Sequence, residues 1–351
     1  MLNIEYPKYE SAQPVLAELA ADHMELAAIL DGTIDGDVWV DRQDRPQLAV
    51  VSSGDTFYVA GRVDGDAAQA VRDLIPDWAY VYVQEPWGQR LSQIWSNPFA
   101  IPHPRVRFGL PSVAALSAPP VLPAGVEIAP IDRALLARPL SNLDVLHESI
   151  ESWRSEETFF DAAIGFCAVR GGQIVSHCLT DSVVGLRCEV GVSTDPAFRG
   201  LGLGRYLAWA TVEQCMRRGL QEIEWHCHTS NKGSRAIARS IGLVEQQQYT
   251  AYSCRLPAEN AGDLEPARCL ELAHHFEQAG GHIPWCYFYA AGVRALIGDR
   301  EGALRNIGLL IDGGWEGQAQ WLDEFWALQT LQGDASFQAL LALQRERQAQ
   351  Q

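Results

Sequence analysis

A glycine-rich segment carries the clearest chemical signal in the sequence. Residues 199–204 place glycine at every second position, directly before a run with helical periodicity. The first amide groups of a helix have no intrahelical acceptor and carry partial positive charge. Because glycine lets an anion lie directly against the main chain, the segment predicts a loop that binds phosphate.

The spacing of the glycines distinguishes three kinds of phosphate loop. A nucleotide-hydrolase loop ends in Gly-Lys-Ser or Gly-Lys-Thr, but Gly204 is followed by Arg205. A dinucleotide loop, G-x-G-x-x-G, turns directly off its strand; here residues 194–199 intervene, with an Asp-Pro turn. Glu222 and Glu224 lie near the position of the acid that such a loop needs, so a dinucleotide-dependent oxidoreductase is kept as a distant alternative. The third form, R/Q-x-x-G-x-G/A, fits at each defined position.

This third form is that of the GNAT acyltransferases, and the chain resembles that family well beyond the loop. In the family, a second strand follows the loop helix, and the next helix opens with an asparagine and ends in Gly-Phe. The corresponding features here are residues 222–228, Asn231 and the pair Gly242-Leu243. The resemblance covers about residues 126–254 and implies a mixed sheet flanked by helices.

The resemblance implies acetyl-coenzyme A as the acyl donor and assigns its contacts. Loop amides would hold the pyrophosphate, the preceding strand would carry the thioester, and the helix asparagine would meet the pantetheine arm. The residues implied to bind the donor are Val192, Thr194, Arg199, Gly200, Leu201, Gly202, Leu203, Gly204, Asn231 and Ser234. Three have structural alternatives: Arg199 as a surface residue, Asn231 as a helix N-cap and Ser234 as a packing residue.

Acetyl transfer to an amine also needs a base, and two residues are candidates. The resemblance implies a carboxylate at Glu189, which becomes a useful base if burial raises its pKa or a water relays the proton; pairing with Arg187 is its structural alternative. His226 on the neighbouring strand is the other candidate, because histidine is a common general base in enzymes. No third ligand is spaced to join His226 and His228 in a metal site, so no metal is expected. Many relatives carry a tyrosine as the acid seven residues after the asparagine, where this chain has Ala238.

A coenzyme A-dependent N-acetyltransferase acting on a small amine is the leading hypothesis. Residues 153–155, 165–167 and 225–227 are similar to the zwittermicin-resistance-type acetyltransferases. That similarity implies an aminopolyol antibiotic as acceptor and a role in resistance or detoxification. The alternative, from another class, is a sensor or adaptor that binds acyl-coenzyme A without catalysis and recruits a protein partner through a helical tail.

Net charge and cysteine usage indicate which classes of partner and which cellular compartment to expect. The chain has 27 basic and 44 acidic residues, a net charge of −17, which disfavours nucleic acid and anionic membranes as partners. The acidic surface either keeps the protein soluble or attracts a cationic amine substrate. Its eight cysteines are scattered without a C-x-x-C pair, as expected for reduced thiols. With no signal-like apolar core at the N-terminus and no membrane-length apolar run, the sequence predicts a cytoplasmic protein.

The elements that must position these residues suggest an α+β chain in several parts. A GNAT-like domain over residues 126–256 follows a Pro- and Ala-rich linker, residues 111–125. Residues 1–110 repeat its strand order and predict a degenerate GNAT-like domain, with an unrelated α+β module as the alternative. Residues 61–66, where the glycine loop would be, carry acids that repel phosphate. Residues 263–351 read as helices, one pair resembling a tetratricopeptide unit. They predict either a cap on the enzyme or a surface for a partner or self-association.

Overall fold

Strands between residues 2 and 253 form one central sheet. The computed structural model describes residues 1–62 and 66–349, so residues 63–65 of the segment 61–66 lie outside it. The strands are β1 Leu2–Ile4, β2 Asp37–Val40, β3 Leu48–Ser53, β4 Thr56–Gly61, β5 Tyr80–Val83, β6 Ile101–Gly109, β7 Glu127–Pro130, β8 Gly165–Arg170, β9 Gln173–Val184, β10 Arg187–Thr194, β11 Glu222–His228 and β12 Val244–Ser253. Their spatial order is β1-β2-β3-β4-β5-β12-β6-β11-β10-β9-β8-β7.

The strand order shows two halves of six strands each, β1–β6 and β7–β12, and the last strand of each half lies beside the other half. β12 lies between β5 and β6, and β6 lies between β12 and β11. The pairs β4–β5 and β10–β11 are parallel, and the other neighbouring pairs are antiparallel. The two halves thus have the same succession of pairings and share one sheet, so side chains from both can reach a common site.

Helices cover the sheet and form the C-terminal region. They are α1 Gln13–Asp22, α2 Met24–Asp31, α3 Asp66–Leu74, α4 Leu91–Ile94, α5 Arg133–Leu136, α6 Asp144–Glu151, α7 Glu156–Ala162, α8 Leu203–Arg217, α9 Lys232–Ser240, α10 Pro266–Gly280, α11 Cys286–Leu296, α12 Arg300–Asp312, α13 Ala319–Glu324 and α14 Ala335–Gln348. The buried face of α8, with Leu207, Val212 and Cys215, packs on the second half of the sheet. In the described part of the chain, no helix is long and apolar enough to cross a membrane.

The linker predicted at residues 111–125 is docked on the second half of the sheet domain. The Ser117 amide donates to the Ile241 carbonyl at 3.0 Å, and the Trp209 indole N–H donates to the Ser117 carbonyl at 2.9 Å. Ala115 and Leu116 pack against the same core as α8. The segment therefore connects the halves without separating them.

The C-terminal helices pack against the end of the sheet. Leu272 and Phe276 of α10 share a core with Cys254 and Leu256, which follow β12. A His275 ring nitrogen lies 2.9 Å from the Phe99 carbonyl oxygen, just before β6. The C-terminal helices therefore cover one end of the sheet, as a cap would. Their use as a surface for a partner stays a prediction.

Candidate active site

The sheet opens beside β10. β10 pairs with β11 only over Arg187, Cys188 and Glu189, and its remaining residues pair with β9 alone. β11 instead continues along β6 as far as His228. The main chain of residues 190–194 therefore faces a gap on its β11 side, where no strand pairs with it. Arg199 bonds to the Thr194 carbonyl there, and the Val192 main chain is left without a strand partner on that side.

The glycine-rich turn lies at the end of this gap. Gly200 and Gly202 have φ of +77° and +83°, a conformation that favours glycine, and a Cβ added at either would meet nothing within 4 Å. Gly202 caps α8 without a side-chain acceptor. The first-turn amides of a 15-residue helix therefore face open space, as a phosphate site requires.

The gap and the turn line one cavity of about 760 Å³. Nine of the ten residues predicted to bind the donor line it, while Leu201 is exposed outside it. The nine are Val192, Thr194, Arg199, Gly200, Gly202, Leu203, Gly204, Asn231 and Ser234. Arg205 and Lys232 also line it, so with Arg199 three basic side chains lie on its wall, together with the acids Glu259 and Asp263.

Three of these side chains also hold the cavity together. Arg199 donates from Nε to the Thr194 carbonyl at 3.1 Å and from Nη1 to Asn260 Oδ1 at 2.8 Å. Asn231 Oδ1 accepts from the Ser234 amide at 2.9 Å and so caps α9. Ser234 Oγ accepts from the Trp225 indole at 2.8 Å. The structural roles that the sequence suggested for Asn231 and Ser234 are thus present in addition to their place on the cavity wall.

The segment after β12 forms another wall of this cavity. Glu259, Asn260, Gly262 and Asp263 line it, and the Asn231 amide donates to the Glu259 carboxylate. Residues 257–262, where the sequence suggested a boundary between domains, thus belong to the cavity. Their loop-like composition carried no signal of this role.

A second cavity, of about 380 Å³, is acidic. Its lining residues are Glu25, Ile34, Glu148, Ser149, Ser152, Asp181, Ser182 and Glu189. They come from both halves of the sheet domain, through α2 in the first half and α6, β9 and β10 in the second. Within the described chain, four carboxyl groups and no basic side chain line this cavity.

Glu189 is unpaired at the edge of the gap. Arg187, its expected structural partner, instead binds Glu222 at 3.3 Å and Glu224 at 2.9 Å. Across residues 1–62 and 66–349, Glu189 makes no hydrogen bond or ion pair with another side chain. Its carboxyl group is therefore available to a ligand, as the prediction of a base requires.

A β-bulge brings Asp181 next to Glu189. Along β9, Ser182 faces Glu189 and Thr180 faces Val190, so Asp181 is the extra residue of the bulge. Its carboxylate covers Gly191, where a Cβ would lie 2.2 Å from Asp181 Oδ2. A side chain at position 191 would therefore displace this carboxylate from its place over β10.

The environment of the acidic cavity favours the neutral form of two carboxyl groups. Burial, together with the negative charges of Glu189 and Glu25, raises the pKa of Asp181 to about 8. Burial also raises the pKa of Glu25 to about 7, although a 2.6 Å hydrogen bond from the Tyr58 hydroxyl opposes the shift. Both groups face the cavity, so a cationic ligand would restore their charge.

We expect Asp181→Asn to reduce the pH dependence of stability. A carboxyl group whose pKa is higher in the folded than in the unfolded state takes up a proton on folding, so its contribution is full below the unfolded pKa of about 4. That contribution is lost as the pH rises to about 8. Between about pH 5 and about pH 8.5, urea unfolding should show a larger loss of stability for the wild-type protein than for the variant. Equal losses would contradict the shift, and Asp161→Asn, an exposed acid outside the cavity, is the control.

His226 and Glu189 meet at a third, small cavity of about 60 Å³. His226 Nδ1 lies 2.7 Å from the Tyr249 hydroxyl, and Nε2 lies 3.2 Å from Glu224 Oε2. Burial would raise the pKa of Glu224, but hydrogen bonds from His226 and Arg187 outweigh it and lower that pKa. Both ring nitrogens of His226 are thus engaged, while the cavity has room for water beside Glu189.

The remaining sequence predictions concern metal and acid groups. In the described residues, no group of three or more His, Cys, Asp and Glu is arranged to hold a metal ion. Burial lowers the pKa of His228 to about 3, and its Nε2 lies 3.8 Å from Glu259. Ala238 is fully buried on α9, at the position where many relatives have a tyrosine.

Comparisons with known proteins agree with this architecture. The model of the family "GNAT acetyltransferase" matches residues 14–252, which span both halves of the sheet. The uncharacterized N-acetyltransferase YdfB of Bacillus subtilis (strain 168) is 27% identical over 237 residues, covering 64% of this chain and 88% of that protein. A GCN5-related N-acetyltransferase-like protein from Streptococcus suis 89/1591 shares the fold with a TM-score of 0.56 at 21% identity, over 70% of this chain and 98% of that one.

Proposed function

The chain belongs to the GNAT acetyltransferase family and is an N-acetyltransferase; we propose that it transfers an acetyl group from acetyl-coenzyme A to an amino group of a small molecule. The observation that carries the proposal is the gap beside β10. A cavity with a glycine turn and three cations lies at one end of the unpaired stretch, and a cavity with four carboxyl groups lies at the other. An anionic donor and a cationic acceptor would thus approach the same strand from two sides.

The residues of the donor cavity fit acetyl-coenzyme A. The amides at the start of α8 would bind the pyrophosphate, with Arg199, Arg205 and Lys232 balancing its charge. The open main chain of β10 at Val192 and Thr194 would bind the pantetheine arm. A strand amide in the gap would donate to the thioester oxygen as negative charge develops there.

Glu189 is proposed as the base for the acceptor amine. The amine nitrogen forms a bond to the acetyl carbon, the carbon–sulfur bond breaks, and the amine proton passes to Glu189 directly or through water in the small cavity. The coenzyme thiolate leaves and takes its proton from water, since position 238 offers no hydroxyl. His226 would then act through Tyr249 and Glu224, holding the wall of the small cavity in place.

The first half of the sheet domain is proposed to be a degenerate GNAT copy that shapes the acceptor site. The matching succession of strand pairings in the two halves supports this, as do Glu25 and Ile34 on the wall of the acidic cavity. An aminopolyol would suit that wall, because its amino groups would bind the carboxylates and its hydroxyls would bind Ser149 and Ser152.

An assay of coenzyme A thiol release against a panel of primary amines tests the proposal. We expect release that depends on the amine, with the acetylated amine identified by mass spectrometry. Alcohols of the same chain lengths serve as matched controls and should give no release above hydrolysis. Failure of calorimetry to detect coenzyme A binding, or equal release with amines and alcohols, would overturn the assignment.

A further inference from the structure

The acidic cavity has four carboxyl groups, one more than the three N–H donors of a single ammonium group. We propose that the natural acceptor carries at least two ammonium groups, one beside Glu189 and Asp181 for acetylation and another held by Glu25 and Glu148. This rests on the proposed function and names the substrate class of that site. The four carboxyl groups lie on α2, α6, β9 and β10 around one cavity of about 380 Å³, a volume suited to a small molecule.

Charge balance supports a second cationic centre. Charged carboxylates this close repel one another, and without a cation Asp181 and Glu25 favour their neutral forms. A second ammonium group in the cavity would let both groups keep their charge. In the part of the chain that the structure describes, no Lys or Arg lines the cavity to balance them. Glu148 lies on α6 and Glu25 on α2, whereas Asp181 and Glu189 lie on β9 and β10, so the four carboxyl groups come from separate elements around the cavity.

A buried hydroxyl provides an independent indication of a ligand. Ser182 is 1% exposed, lines the same cavity, and its Oγ has no hydrogen-bond partner among the described residues. An unpartnered buried hydroxyl is costly unless a ligand or water bonds to it. An ammonium group or a hydroxyl group of the acceptor substrate would give Ser182 Oγ its missing hydrogen bond. This indication of a ligand is independent of the carboxyl groups.

The first half of the sheet domain provides one of the two carboxyl groups proposed to bind the second ammonium group. Glu25 begins α2, and the Tyr58 hydroxyl on β4 holds its carboxylate at 2.6 Å. Main-chain contacts join the halves at the cavity rim, where Ile34 bridges to Trp153 and the Arg154 amide donates to the Thr33 carbonyl at 3.1 Å. Specificity for a dication would therefore depend on residues from both halves.

A matched pair of acceptors tests the inference. We expect kcat/KM for 1,4-diaminobutane to exceed that for 4-aminobutan-1-ol by about 10-fold or more, the difference made by one charge-assisted contact. Glu148→Gln and Glu25→Gln should each reduce that ratio by about threefold or more. Glu151→Gln, an exposed residue on the same helix as Glu148, should leave the ratio unchanged. Gln at position 25 still accepts the Tyr58 hydrogen bond, which separates loss of charge from loss of folding.

Two outcomes separate this inference from the proposed function. If amines are acetylated but the diamine has no advantage, or if neither variant lowers its advantage, the two-ammonium inference is wrong and the transferase stands. Calorimetry with 1,4-diaminobutane on the full chain covers the opposite case. If Glu148→Gln weakens diamine binding but no amine is acetylated, the diamine site is supported and the transferase is rejected. If the protein neither binds the diamine nor acetylates an amine, both proposals are rejected.

Discussion

Gly202→Asp should weaken coenzyme A binding by at least about 100-fold, because it places a carboxylate at the start of α8. Gly202 has φ of +83°, and a side chain there would project into open space. The aspartate would compete with the pyrophosphate for the helix amides and repel it. The cost to folding is limited to about 1–2 kcal/mol for a non-glycine residue with left-handed backbone. Calorimetry with coenzyme A measures the affinity, and urea unfolding measures the stability.

Gly219→Asp is the matched control for this variant. Gly219 follows the other end of α8, has φ of +91°, and a Cβ there also meets nothing within 4 Å. The control therefore has similar backbone strain and the same added charge, but about 22 Å from the turn by helix rise. It should bind coenzyme A like the wild-type protein. If both variants weaken coenzyme A binding equally, the effect is not specific to the turn. If Gly202→Asp binds coenzyme A as tightly as the wild-type protein, the diphosphate does not bind at the turn.

The donor side of the site could be predicted because its chemistry is local in the sequence. Residues 199–204 form their turn and begin α8 through glycine conformation and unpaired helix amides, and both are properties of neighbouring residues. Asn231 has the same advantage, because an N-cap is recognised from the residues beside it. The strand that the sequence predicts at residues 222–228, β11, begins and ends as the structure has it.

The acceptor side depends on contacts between distant residues, and sequence patterns do not show them. Glu25 reaches the cavity only because α2 packs over β9 and β10, which are more than 140 residues away in the sequence. Asp181 reaches it through a bulge, which has no signature in single-sequence periodicity. β6 contains Pro102 and Pro104, residues that are rare in central strands; it forms because β11 and β12 pair with it on both sides.

Glu189→Gln should lower kcat for amine acetylation by about 100-fold or more near neutral pH, because it removes the proposed base. The amide keeps the size of the side chain and cannot take the amine proton. Val192 to Thr194, the part of β10 that lines the donor cavity, is untouched, so the KM for acetyl-coenzyme A should change little. Steady-state kinetics with one amine, at several pH values, measures both quantities.

The pH profile distinguishes a base from a residue that only supports the structure. As the pH approaches the pKa of the free amine, about 10, more acceptor arrives already deprotonated and needs no base. The deficit of Glu189→Gln should therefore shrink toward high pH, whereas a structural defect would lower the rate equally throughout. Glu222→Gln, on the paired part of β11 and bound to Arg187, is the control and should keep the wild-type profile. If Asp181→Asn shows the shrinking deficit and Glu189→Gln does not, Asp181 is the base, since its raised pKa of about 8 also suits proton transfer near neutral pH.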